Sequence, residues 1–267
     1  MKEEAINLAR DVSDPARRLN VLREYLQALV MRSLHESEAF QCIAFVGGTA
    51  LRFLYGLPRF SEDLDFSLDS GKGYDPAKWM RKTKHDLQLA GLDTAITVNN
   101  HKAVHVAWIK IAEVLKATGL AGMVQQKLSI KLEIDTRPPA GAQTRNQVIE
   151  RHRMFAVRCY DLPSLMAGKL HALITRQHSK GRDWYDFVWY RAQRPQPEPN
   201  LVLLQNALDQ TERQKLESSK WKDLVHDKIG KLDISKVRED VQPFLEEQRE
   251  ADLITRENLE SLLKTTG

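Results

Sequence analysis

The sequence predicts an α/β protein with a mainly helical C-terminal part, and three observations carry that class. Residues 43 to 68 read as strand, glycine turn, helix, strand. Segments 94 to 99, 103 to 111 and 128 to 136 cluster β-branched and aromatic residues or alternate apolar with polar, as strands do. Beyond Asn200 leucines recur at helical spacing with Lys, Glu and Gln between them.

In chain order, Ser13-Asp14 followed by Pro15 reads as an N-cap with proline in the first turn. Leu19, Leu22, Leu26, Leu29 and Val30 then mark an amphipathic helix from 15 to about 36, laid on the domain. The apolar run Ile43 to Val46 is a strand, and Gly47-Gly48 permits a turn that a Cβ would obstruct. Thr49 to Tyr55 is helix-compatible, and the amides at its start are free to meet a phosphate. A loop with Pro58 then delivers Ser61-Glu62-Asp63-Leu64-Asp65-Phe66. Strand alternation sets Asp63 and Asp65 on one face, with Leu64 and Phe66 facing a core. Two carboxylates that close repel unless a cation sits between them, and Mg²⁺ is often held by one or two carboxylates plus substrate phosphates. The bland alternative is a solvated strand edge.

A further helix starts at Asp75-Pro76 and runs to about Leu89. Residues 112 to 126 suit helix and loop equally. In 128 to 136, Leu128, Ile130, Leu132 and Ile134 form one face, and Lys131, Glu133 and Asp135 the other. Pro138-Pro139 ends that strand, and Met154 to Val157 offers one more extended segment. Asp161 to Pro163 opens a helix running past Arg176; His171 and His178 fall on it as surface or core residues, not ligands. The prolines between Arg194 and Asn200 break the chain there. Helical patterns follow at Leu201 to Leu208, Leu216 to Ile229, Ile234 to Leu245, and through Leu259, Leu262 and Leu263.

The run Gly47-Gly48-Thr49-x-Leu51, followed after a short helix by Arg59-x-Ser61-x-Asp63-Leu64-Asp65-Phe66, resembles the signature of the nucleotidyltransferase fold. Among its branches it is most similar to the AbiEii/AbiGii abortive-infection toxins, which include the mycobacterial MenT toxins. A second motif of that family is matched by Lys169, Arg176, Arg182, Asp183 and Asp186. The resemblance covers roughly residues 40 to 190. It implies a mixed sheet with helices as a nucleotidyltransferase core over 38–160. An N-terminal helix at 1–37 packs on that core, and a helical part at 161–267 carries the Lys169/Asp183 motif.

The reaction the resemblance implies is Mg²⁺-dependent transfer of a nucleoside monophosphate from an NTP to an acceptor, the tRNA 3′ end, which blocks translation; a cognate antitoxin accompanies it. Asp63 and Asp65, with Glu133, would hold two Mg²⁺ ions, Mn²⁺ being an alternative. Glu133 is favoured over Asp135 as third carboxylate because Leu132 and Ile134 flank it. A plain strand face with Lys131 pairing Glu133 is the competing reading. Gly47, Gly48, Thr49, Arg59, Ser61 and Arg176 would meet the nucleotide, and Lys169 and Asp183 would take part in catalysis. The competing reading of the second motif is an ion-pair lattice between two packed helices. Two functional alternatives stay open: a protein or small-molecule hydroxyl as acceptor, or a non-catalytic module that binds nucleotide or RNA.

Bulk composition narrows the class less. At 267 residues, 42% hydrophobic and 28% charged, the chain can bury a sizeable core. No apolar run nears the roughly 20 residues of a membrane span. The start, MKEEAINLARDVSD, has no apolar signal region, so a cytoplasmic location is expected. Cys42 and Cys159 have no metal-type spacing and read as reduced, buried thiols. A net charge of +4 admits a polyanionic partner.

Overall fold

The computed structural model describes residues 1–123, 125–211 and 215–264. Two compact units form. A sheet unit takes Met1–Gly56, Phe60–Arg137 and Arg145–Cys159, and a helical unit takes Leu57–Arg59, Pro138–Thr144 and the chain from Tyr160 onward.

The sheet unit opens with α1 (Lys2–Arg10) and α2 (Pro15–Glu36). It continues through β1 (Ile43–Val46), α3 (Gly47–Tyr55), β2 (Leu64–Leu68), α4 (Pro76–Leu89), β3 (Thr94–Asn99) and β4 (Val104–Ile111). The one-turn α5 (Val114–Ala117), β5 (Leu128–Asp135), β6 (Thr144–Ile149) and β7 (Phe155–Tyr160) complete it. The strands form one mixed seven-stranded sheet in the order β3-β4-β5-β2-β1-β7-β6. β2 lies parallel to β5 and β1 parallel to β7, whereas β1–β2, β3–β4 and β4–β5 are antiparallel. The α/β class read from the sequence is the observed one. Two elements were not foreseen, α1 and β6. Both are short and polar: in β6, TRNQVI, only Ile149 is buried, so its apolar pattern is too thin to read. The ambiguous stretch 112 to 126 contains the one-turn helix α5; Val124 lies outside the described residues.

α2 begins where capping chemistry dictates. Asp14 accepts the Arg17 N–H at 2.7 Å, and Pro15 occupies the first turn, where no N–H is needed. Leu22, Tyr25, Leu26, Leu29 and Val30 are buried. At about 1.5–3 kcal/mol per large apolar side chain, that stripe far outweighs propensity differences of tenths of a kcal/mol. β5 alternates buried Leu128, Ile130, Leu132 and Ile134 with half-exposed Ser129, Lys131, Glu133 and Asp135, so one sheet face is core and the other stays open.

Beneath α2 sits a buried charge node. The Glu24 carboxylate receives Arg52 Nε of α3 at 2.6 Å, Arg151 Nε at 2.8 Å and His152 Nε2 at 3.1 Å. Burial alone would push the Glu24 carboxyl up, but the His152 hydrogen bond and the Arg52 charge overcome it and bring it down to about 2. A carboxylate depressed from its ordinary 4.5 contributes stability in full above pH 4.5 and loses it as pH falls toward 2. Between pH 5 and pH 2 the protein should therefore lose on the order of 3 kcal/mol more stability than its Glu24→Gln variant does. Urea unfolding at a series of pH values measures this; parallel pH profiles for the two proteins would count against the node.

The helical unit consists of α6 (Leu162–Thr175), α7 (Gly181–Ala192), α8 (Leu201–Thr211), α9 (Trp221–Ile229), α10 (Ile234–Val241) and α11 (Arg256–Lys264). Asp161 caps α6 by accepting the Ser164 N–H at 2.9 Å. α6 ends at Thr175, so His178, expected on it, lies beyond its end. α7 packs against α6, α10 and α11. Its first residue has to be Gly181, because a Cβ there would overlap the Val237 carbonyl of α10. α10 stops short of the expected Leu245 and gives way to a 3₁₀ turn, since Pro243 has no N–H to continue the ladder. Among the described residues no helix is long and apolar enough to cross a membrane.

Candidate active site

Apart from Arg59, the first motif assembles in the sheet unit. β1 runs directly into α3 through Gly47, whose φ of +78° is a conformation that suits glycine. Val46 pairs with Asp65 across the antiparallel β1–β2 ladder, which brings the Asp65 carboxylate against Gly47. A methyl group at residue 47 would overlap that carboxylate. No side chain caps α3, so its first amides have no partner within the helix, and they carry the positive end of the helix dipole beside Asp65.

The loop that delivers Asp63 is held through three successive backbone carbonyls. Gln27 Nε2, from α2, donates to the Ser61 carbonyl at 3.1 Å and to the Glu62 carbonyl at 2.8 Å. The Thr49 hydroxyl donates to the Asp63 carbonyl. Thr49, expected at the nucleotide, is thus buried with its hydroxyl used to fix the loop. Ser61 stays half-exposed beside Asp63, and Gly48 is buried in the first turn of α3. Gln27 is a positioning residue that the sequence reading missed. Its signal is a polar residue set among the buried Leu26, Leu29 and Val30.

Across the β2–β5 ladder Asp65 stands in parallel register with Glu133. Glu133, expected as a third metal ligand, has its carboxylate 2.8 Å from Lys131 Nζ, the pairing named as the competing reading. Asp135 accepts the Arg137 N–H at 2.9 Å and so shapes the end of the strand. The Glu133 hydrogen bond, reinforced by the charges of Glu133, Asp63 and Asp65 and opposed by partial burial, raises Lys131 above the ordinary lysine range. Lys131 is therefore a fixed ammonium set among carboxylates.

The donors suit a hard divalent cation in one arrangement. Asp63 and Asp65 offer carboxylate oxygens, and the bare Cα of Gly47 leaves space beside one of them. Among the described residues no group of three His, Cys, Asp or Glu side chains converges to hold a metal. Gly47→Ala offers a direct test of this clearance. It should lower any metal-dependent turnover about a hundredfold by displacing Asp65 by an ångström or less, while circular dichroism stays native. Full activity in that variant would show that the Asp65 position is not critical.

The second motif assembles in the helical unit as an ion-pair lattice. Arg59 is fully buried, its guanidinium forked on Asp186 by bonds of 2.6 Å from Nε and 2.7 Å from Nη2. Lys169 Nζ lies 2.7 Å from Asp186 and 3.1 Å from Asp183, and Arg176 pairs with the other Asp183 oxygen. Burial would raise the Asp186 carboxyl, but the Arg59 and Lys169 charges hold it below its ordinary value. Burial would likewise lower Lys169, yet Asp186 and Asp183 raise it. Arg59 was expected at a nucleotide. The structure places it out of reach of solvent, because a forked guanidinium inside a helical core has every reason to stay with its carboxylate. Lys169 and Asp183 are mostly buried and engaged with one another, while the Arg176 side chain keeps 42% of its surface exposed.

A model of the nucleotidyl transferase AbiEii toxin family, type IV toxin–antitoxin system, matches residues 29–264 and so takes in both motifs. No curated protein matches the sequence. The crystal structure of JHP933 from Helicobacter pylori is similar with a TM-score of 0.54 and 19% identity, over 92% of this chain and 90% of that one. The crystal structure of a candidate nucleotidyltransferase from Helicobacter pylori gives a TM-score of 0.55 and 19% identity, over 88% and 90%. At that identity the likeness concerns the fold, whereas the family match rests on this chain's own residues over nearly its full length: the chain belongs to the nucleotidyl transferase AbiEii toxin family of type IV toxin–antitoxin systems.

Proposed function

We propose that the protein transfers a nucleoside monophosphate from an NTP to the 3′ end of tRNA, releasing pyrophosphate and stopping translation until a cognate antitoxin intervenes. The observation that carries this reading is the Asp65 carboxylate set against the Gly47 turn, with Asp63 presented from the same loop and strand. Asp63 and Asp65 would hold Mg²⁺, or Mn²⁺ in its place. Bound there, the ion supplies charge stabilisation at the phosphoryl oxygens and orientation of the triphosphate.

The chain's own groups account for the rest. The first amides of α3, at Gly47, Gly48 and Thr49, are donors suited to phosphate oxygens. Gln27 and the Thr49 hydroxyl hold the Asp63 loop, so that the carboxylates need not reorganise as charge develops. In the reaction a terminal hydroxyl oxygen of the acceptor forms a bond to the α-phosphorus. The α–β bridging bond breaks, and the hydroxyl proton leaves to solvent. Lys131, fixed as an ammonium on the same face, offsets charge on the phosphates. The net charge of +4 favours a polyanionic acceptor.

The test is incubation with each α-labelled NTP, Mg²⁺ and bulk tRNA. Label in the RNA, at its 3′ end, supports the proposal. Label in protein would move the acceptor to a side chain, and nucleotide binding without transfer would reduce the protein to a binding module.

A further inference from the structure

The open face of the sheet carries an aromatic that neither the core nor the carboxylate site explains. Trp108 on β4 points away from the core side chains Ala107, Ile109 and Ile111 and leaves 41% of its surface exposed. A single exposed apolar residue is ordinary. Its neighbours are not. Trp108 pairs across the β4–β5 ladder with Lys131, whose ammonium lies 5.8 Å from the ring centroid. Lys131 is bonded to Glu133, and Glu133 is in register with Asp65. Thr97 of β3 flanks Trp108 on its other side.

Two strand spacings and two residues of strand rise separate Trp108 from Asp65, about 12 Å between backbones. Side by side on one face, then, stand a flat aromatic surface, a fixed cation and a pair of carboxylates. Their order matches that of a nucleotide lying along the sheet: base, sugar with its first phosphate, and phosphate tail. Trp is the strongest stacking surface a side chain offers, and every base has a face to lay on it.

We propose that Trp108 is the stacking platform for the base of the nucleoside triphosphate, with Lys131 contacting the phosphate nearest the sugar. The inference rests on the nucleotidyltransferase reading above, and it adds the residue that holds the base. Trp108 lies outside the buried core, with 41% of its surface exposed, so its replacement should act on binding far more than on folding.

The experiment is isothermal titration of wild type, Trp108→Ala and Trp108→Phe with each of the four ribonucleoside triphosphates in Mg²⁺, and with inorganic tripolyphosphate, which has no base. Trp108→Ala should weaken binding of the preferred triphosphate about tenfold or more, Trp108→Phe distinctly less, and tripolyphosphate binding should not change in either. The same order should appear in KM, with kcat nearly constant and Tm unmoved. Wild-type triphosphate affinity in Trp108→Ala would overturn the platform and leave the nucleotidyltransferase reading standing, as would a loss shared equally by tripolyphosphate or a loss confined to tRNA binding. Absence of any triphosphate binding by the wild-type protein would overturn both.

Discussion

Asp65→Asn should lower nucleotidyl transfer at least about a thousandfold while leaving the fold and its melting temperature intact or slightly raised. The change keeps the shape of the side chain at Gly47 and removes only its charge. Loss of rate would then report the charge and not a collapse of the β1–β2 turn. Stability should not suffer, because Asp63, Asp65 and Glu133 lie close enough together to repel one another, with Lys131 bonded to Glu133. The readouts are label incorporation into tRNA and thermal unfolding followed by circular dichroism. Transfer that persisted within tenfold of wild type would remove the carboxylate pair from the mechanism, whatever the acceptor.

Asp186→Ala should be the most damaging single change in the helical unit, costing about 3–5 kcal/mol. It leaves the buried Arg59 guanidinium and the Lys169 ammonium without the carboxylate that both share. For a chain of this size the loss corresponds to a fall in Tm of about 10 °C. The double variant Arg59→Met with Asp186→Leu should recover a large part of it, because removing both partners leaves no unpaired guanidinium behind. Differential scanning calorimetry decides the matter. A single variant that melts with the wild type would mean that Asp186 is less tightly bound into the lattice than its geometry indicates.

The helical unit shows where reading from sequence stops. Lys169 and Arg176 lie seven residues apart, a spacing that puts them on one face of a continuous helix, but α6 ends at Thr175 and Arg176 caps it in extended backbone. Two further facts then decide their state: Asp183 and Asp186 of α7 come within bonding distance, and Arg59, more than 100 residues earlier in the chain, enters the same lattice. A periodicity argument sees one helix at a time. Pairing across helices depends on packing, and packing depends on residues such as Gly181, whose role is legible only once the Val237 carbonyl is beside it.

The sheet unit was more legible because its signals are local. Capping at Asp14, the alternation of β5 and the glycine turn before α3 each follow from a handful of adjacent residues. The same holds for Asp63 and Asp65 as a pair. What fixes that pair in place did not show: Gln27 acts across more than 30 residues, and Glu24 gathers Arg52 and two residues of the chain beyond β6. Glu133 divides along the same line. Its face and its strand could be read from alternation, and Lys131 could be named as a possible partner, but alternation could not choose between that pairing and a metal.

By itself, then, the sequence determined the α/β class and the strand–turn–helix–strand order, because period-2 and period-3.6 patterns and glycine's freedom at positive φ act over a few residues, and its motifs carried the resemblance to the family. Only the tertiary structure decided which charges neutralise one another and which stay open to a ligand. Those choices turn on ångström distances between groups far apart in the chain, and on how much water burial removes from each.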